Sequence, residues 1–273
     1  MPWTTPSMTP LTQADCTATI AAHSAALAGL AEGHLDAEVE FCPGWTVRDL
    51  VHHVTEVHWF WATIVADRIT ERPTHLEHPE RATDDDTVAA FRAATDRLVR
   101  VLSDVDPATR VWTWAPHRQD AGFVIRHQVQ EIVVHHWDAA HAAGRTVEVS
   151  PEVGADCVDE MLQFSVVNAD NVDDDPLPPA LDGTFALCCN DSEAAWLVTD
   201  GDQPGISAVT RATAAEVAER GLPAVTGTGG QLIQWLYDRH GDPAESGGDA
   251  DPSAVDAADP ELLARFRKLC FTD

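Results

Sequence analysis

Residues 11–143 carry apolar side chains at helical spacing, and past Gly144 that period gives way to short β-like runs. A chain that changes period in this way cannot be built from one kind of layer. The first predicted helix starts at Thr12 and reaches about Leu30, Ala-rich and without Gly or Pro until Gly29. The second starts after Pro43-Gly44-Trp45, with Thr46 as N-cap and Asp49 placed to close a capping-box-like pair. Along it Leu50, Val54, Val57 and Trp61 recur on one face. The third follows Asp84-Asp85-Asp86, acids where a helix dipole favours them, and runs to about Leu102. The fourth spans about Ala121 to Ala143 and stops at Gly144. Connections of about 10 to 17 residues between these segments predict a four-helix bundle with some long crossovers.

In the second half, Ser150-Pro151-Glu152 is a helix start with Ser as N-cap and Pro at the first turn, predicting a helix to about Asn168. An acid- and Pro-rich linker at 171–179 precedes strand-like runs at 184–189, 195–199 and 206–210. Thr226-Gly227-Thr228-Gly229-Gly230 lacks the Lys-Ser/Thr of a phosphate-binding loop and reads as a turn. Helices are expected at 230–239 and 260–269, with a Gly/Asp/Ser/Pro-rich loop between them. The fold class is therefore α+β, with a helical bundle at 1–146 and a smaller α+β domain at 147–273. The length, 273 residues, allows one large domain or two ordinary ones, and the change of texture near residue 145 favours two.

Charge removes several partners. Against 45 Asp+Glu there are 17 Lys+Arg, a net charge of −28, and Lys268 is the one lysine. Phosphate backbones and anionic membranes both need cations to dock on, so neither nucleic acid nor a membrane surface is an expected partner. No stretch reaches the roughly 18 apolar residues of a membrane span, and residues 1–15 lack the basic and apolar regions of a signal peptide. Six cysteines without CxxC spacing are too sparse for a disulfide scaffold or a Cys zinc site, which points to free thiols in a cytoplasm and turns attention to the 13 histidines.

Two helices carry them in a pattern. On the second, His53 falls near one edge of the apolar face and His58 near the other, while His52 is expected on the solvated side with Asp49 and Glu56. A histidine at a core edge is usually satisfied by a backbone carbonyl. On the fourth, His127, Glu131 and His135 are spaced by four and Asp138 follows by three, a single stripe. Such a stripe is more commonly solvated; here a solvated face should be Asp, Glu and Arg rather than His. Glu131 and His135 with His53 make a His2Glu set, three N/O ligands with one position open, as at catalytic zinc sites. Nickel, iron or manganese also suit these ligand types. Asp138 is placed either to orient His135 or to sit on the surface.

The run Phe41-Cys42-Pro43-Gly44-Trp45-Thr46-Val47-Arg48-Asp49-Leu50-Val51-His52-His53 resembles the entry motif of the mycothiol-dependent maleylpyruvate isomerase family, and Glu131-Ile132-Val133-Val134-His135-His136-Trp137-Asp138-Ala139 resembles its second metal motif. Ala195-Trp196-Leu197-Val198 and Asp259 to Phe266 are similar to its C-terminal domain. The resemblance implies a DinB-like four-helix bundle, zinc on His53, Glu131 and His135, mycothiol as thiol cosubstrate, and an actinobacterial source. It implies isomerisation or S-conjugation of a small electrophile. The founding isomerase also uses an arginine, for which Arg68 and Arg81 are the nearest candidates; Arg48 and Arg126 lie beside the two metal motifs, where they could hold substrate carboxylates but read more readily as surface ion pairs. Two other readings stay open: a small-molecule-binding protein, and a zinc hydrolase with Glu56 or Asp138 as base. Of the tryptophans in this half, most are expected in the core, and Cys42 in packing.

Overall fold

The computed structural model describes residues 10–167, 177–239 and 260–270. The linker residues 171–176 and the predicted loop at 241–258 lie outside them. Helix starts are where the sequence puts side-chain caps. Thr12, Thr46, Thr213 and Thr228 each close a reciprocal capping box with Asp15, Asp49, Glu216 and Gln231, and Ser150 accepts from Val153 N–H. Two compact units result, one of Leu11–Glu148 and one containing Val149–Asp273. The whole is α+β. Among the described residues no helix is long and apolar enough to cross a membrane.

The first unit has four long helices, α1 (Gln13–His34), α2 (Val47–Ala66), α3 (Thr87–Asp104) and α4 (Ala121–Ala142). Their directions follow from pair contacts. Gln13 at the start of α1 donates to the carbonyls of Leu102 and Val105 at the end of α3, while Glu32 near the end of α1 pairs with Arg92 near the start of α3. The two are antiparallel. Thr87 meets His52, and Arg97 donates to Thr63, so α2 and α3 run parallel. His53 meets Glu131, and the Trp61 ring meets His127, so α2 and α4 are antiparallel. The order is up-down-down-up, and the parallel α2–α3 step requires the long crossover of residues 67–86.

That crossover corrects the expectation for His52. A single helix viewed alone puts it on a solvated face, but the chain around Thr83–Thr87 closes over it. His52 is buried, with Nε2 3.3 Å from the buried Thr87 hydroxyl, and burial lowers its pKa.

The second unit is built on a four-stranded mixed sheet of β1 (Thr184–Cys189), β2 (Ala194–Asp200), β3 (Ser207–Thr213) and β4 (Ala224–Gly227), in the order β3-β2-β1-β4. The β1–β2 and β2–β3 pairs are antiparallel and β1–β4 is parallel, reached through α6 (Ala214–Arg220). Central β1 is apolar on consecutive residues because both its faces are covered. Ala186 and Cys188 join Ala195, Ala212 and Val217 of α6 on one face, while Phe185 packs edge-on against Phe266 of α8 (Pro260–Arg267). Trp196, opposite Leu187 in the register, sends its indole N–H to the buried carboxylate of Asp159 on α5 (Pro151–Phe164); Arg211 of β3 donates to the same carboxylate. The strand β4 and helix α6 are absent from the sequence reading, and Thr226–Gly230, read as a turn, is the end of β4, the Thr228 cap and the start of α7 (Gly229–Leu236). The predicted α5 is shorter, ending at Phe164.

The α5 and α7 helices touch backbone to backbone. A Cβ on Gly154 would come within 2.6 Å of the Gly229 carbonyl carbon, and one on Gly229 within 2.6 Å of that of Gly154. Backbone cannot step aside as a side chain can. Gly154→Ala and Gly229→Ala should therefore each destabilise by about 2–3 kcal/mol, the upper part of the overpacking range. Gly29→Ala, in an exposed turn of α1 with nothing within 4 Å, should stabilise by about 0.5–1 kcal/mol. Denaturant unfolding of the three variants checks both signs.

Candidate metal centre

The approach to α2 is a tight turn. Trp45 N–H bonds to the Cys42 carbonyl at 2.9 Å across Pro43 and Gly44, and Gly44 has φ +85°. Pro at the second turn position and a positive-φ Gly at the third are the requirements of a type II turn. Flanking bonds from Val39 N–H to Trp45 and from Val47 N–H to Ala37 clamp the loop, and Thr46 then caps the helix. The turn delivers two side chains. Trp45 stands 5.1 Å, ring to ring, from His53, and Cys42 Sγ lies 4.0 Å from Asp138 Oδ2.

Between α2 and α4 three ligand-type atoms converge. Glu131 Oε1 is 3.3 Å from His53 Nε2 and 3.4 Å from His135 Nε2. One ligand atom from each of the three residues lies within 4.8 Å of the others. The His135 tautomer is set from behind: its Nδ1–H donates to Asp138 Oδ2 at 3.0 Å, so Nε2 is the nitrogen turned toward Glu131. Exposure falls from 36% at the His53 side chain through 18% at Glu131 and 11% at His135 to 0% at Asp138. The group is thus open on the His53 side and closed behind Asp138.

The electrostatics follow from this packing. Burial pushes the Glu131 carboxyl up, but the imidazoles of His135 and His53 outweigh it and hold the acid well below the carboxylate range. Burial pushes His135 down, yet Glu131 and Asp138 together raise it to about 9. Without a metal the pair is an ionised carboxylate facing an imidazolium. Because the folded pKa of His135 is above 6.5, this pairing stabilises the metal-free fold below pH 6.5 and is lost as pH rises through about 9.

The other candidates stand elsewhere. His127 sits among the rings of Trp61, Trp114 and Phe123 at 5.3–6.5 Å rather than in the three-residue group, so the predicted stripe divides into a ligand-type half and an aromatic half. Arg48 pairs with Asp36 at 2.9 Å and Arg81 with Asp49 at 2.9 Å, both at the surface. Arg68 occupies a left-handed position just after α2, and Arg126 is half-buried on α4. Glu56 is exposed. Periodicity offered no signal for the Cys42 contact with Asp138; the only trace of it was the Pro-Gly turn that carries Cys42 there.

Residues 16–140 fit the family model described as the mycothiol maleylpyruvate isomerase N-terminal domain. No curated protein and no solved structure matches significantly.

The role of Asp138 is measurable. In metal-free protein the His135 ring should titrate near pH 9, and Asp138→Asn should lower that midpoint by about one to two units, as loss of an adjacent charge does. Histidine proton resonances followed against pH report both values.

Proposed function

We propose that the chain, whose residues 16–140 match the mycothiol maleylpyruvate isomerase N-terminal domain, is a zinc enzyme that uses mycothiol to isomerise or S-conjugate a small electrophile. The observation that carries this reading is the convergence of His53, Glu131 and His135 with one open side. Two imidazole nitrogens and one carboxylate oxygen are a donor set that zinc accepts, and three protein ligands with a free position is its catalytic form.

Each residue has a part. His53 and His135 would present neutral Nε2 lone pairs, and Glu131 one carboxylate oxygen. Asp138 holds His135 in the required tautomer. Bound zinc supplies acidity, turning a thiol of ordinary pKa about 8.5 into a thiolate at neutral pH. The indole of Trp45 flanks His53, the most exposed of the three, and so stands where a cosubstrate would enter. In an isomerase the thiolate would add to one carbon of an activated carbon–carbon double bond, leaving the negative charge delocalised on the substrate; rotation about the resulting single bond and elimination would then restore the double bond and the thiolate. In an S-transferase the adduct leaves. A hydrolase needs a base beside the metal, but Asp138 is occupied by His135 and has no exposed side-chain surface, and Glu56 faces solvent.

Metal analysis of purified protein should find about one zinc per chain, and His53→Ala or Glu131→Ala should weaken binding by more than about 100-fold, beyond what loss of a supporting residue costs. Since His135 carries a proton up to about pH 9 without metal, zinc must displace it, and the apparent affinity should rise close to tenfold per pH unit from neutrality toward 9. A competition titration across pH reads the slope; a flat profile would remove His135 from the ligand set.

With mycothiol present, zinc-loaded protein should isomerise maleylpyruvate or consume thiol against an electrophile panel, with conjugates visible by mass spectrometry. Turnover that proceeds equally well without any thiol would sink the thiol-dependent reading in favour of hydrolysis. Zinc binding with neither turnover nor thiol consumption would leave a binding protein.

A further inference from the structure

The bundle interior holds polar groups that neither the metal set nor ordinary packing accounts for. His58 on α2 is fully buried, stacked on Phe91 with ring centres 5.6 Å apart. Its Nδ1 is 3.1 Å from the Thr95 hydroxyl, and its Nε2 has no hydrogen-bond partner. Gln128 on α4 is also fully buried, and neither end of its amide is hydrogen-bonded. Buried polar atoms left unsatisfied cost about 1–3 kcal/mol each, so native interiors meet them, usually with ordered water where protein does not.

Position in the bundle relates these two residues to the metal centre. α2 and α4 are antiparallel, with His53 against Glu131 and Trp61 against His127. A step from His53 forward to His58 and a step from Glu131 back to Gln128 therefore move the same way along the bundle. Both arrive about one turn below the metal centre. Gln128 lies three residues before Glu131, a neighbour on the helix surface. The charged groups that act on His58 are Glu131, His135 and His53, and its own burial pushes its pKa down to about 3. It is therefore a neutral imidazole at any working pH, able to donate or accept without adding charge.

We propose that His58 and Gln128 are positioning residues, a polar floor beneath the metal centre that hydrogen-bonds to the Glu131 carboxylate through enclosed water and fixes its orientation toward the ion. The proposal rests on the zinc reading above. The thiol and electrophile approach from the exposed His53 side, while the floor lies in the buried interior on the side of Glu131 away from Asp138. His58 is not a ligand in this arrangement, because the converging group consists of His53, Glu131 and His135.

The test uses the full-length metal-free chain, with zinc as the probe and a chelating dye as competitor. His58→Phe keeps the ring stacked on Phe91, and Gln128→Leu keeps the volume; both delete the polar atoms. Each should remain folded by circular dichroism, because the substituted side chain fills the same space. Each should nevertheless bind zinc about 10- to 100-fold more weakly, the usual effect of losing a group that supports a ligand. His58→Gln, which returns a donor, should restore most of the affinity. If both apolar variants fold and bind zinc as wild type does, the floor is packing and the proposal is overturned while the zinc reading stands. If wild type itself binds no zinc, both fall. If His58→Phe fails to fold, Gln128→Leu alone decides.

Discussion

Glu131 is a carboxylate drawn most of the way out of water between two helices, and much of the first unit answers to that. Burial alone favours the neutral acid. The arrangement instead keeps the charge and surrounds it with imidazole nitrogens from α2 and α4. That solution needs the helices antiparallel, close, and in one register, so that His53 and His135 reach the same oxygen. It also needs His135 held from behind, which Asp138 does, with Cys42 brought against Asp138 by the turn that leads into α2. Local turn chemistry, helix capping and the electrostatics of one acid are thus tied together within a few residues.

The parallel run of α2 and α3 is the other organising constraint. It forces a long connection, and that connection does not merely span: it leads into Thr87, whose hydroxyl meets the buried His52, and brings Arg81 onto Asp49 of the capping box, whose carboxyl is held down to about 2 by the Thr46 bonds and the Arg81 guanidinium. Two adjacent histidines consequently live in different surroundings. His52 belongs to the contact with the start of α3, and His53 to the convergent group with Glu131 and His135.

Much of this was legible in the residues. Helix starts are local events, written in Thr46 before α2, in Ser150 before α5 and in apolar spacing. The convergence of His53, Glu131 and His135 was legible because two residues share a helix at a spacing of four and the third faces the same core. What escaped reading was nonlocal or short. His52 needed a crossover whose path no periodicity encodes. His127 shares the stripe with Glu131, but tryptophans distant in sequence claim it. The four-residue β4 and seven-residue α6 are shorter than the windows in which a period can be recognised. His58, expected at an edge of the apolar face, is fully buried, and its partner Thr95, on another helix, left no trace in the sequence.

The contact between α5 and α7 has a meaning for how this sequence can change. Gly154 and Gly229 each fill the space that the other's Cβ would need, and what each new methyl would strike is main chain. Neither position can accept a larger residue first and wait for its partner to compensate, since the partner has nothing left to give up. The two sites are locked together in drift: two glycines far apart in sequence form one inherited unit that only a separation of the two helices could release.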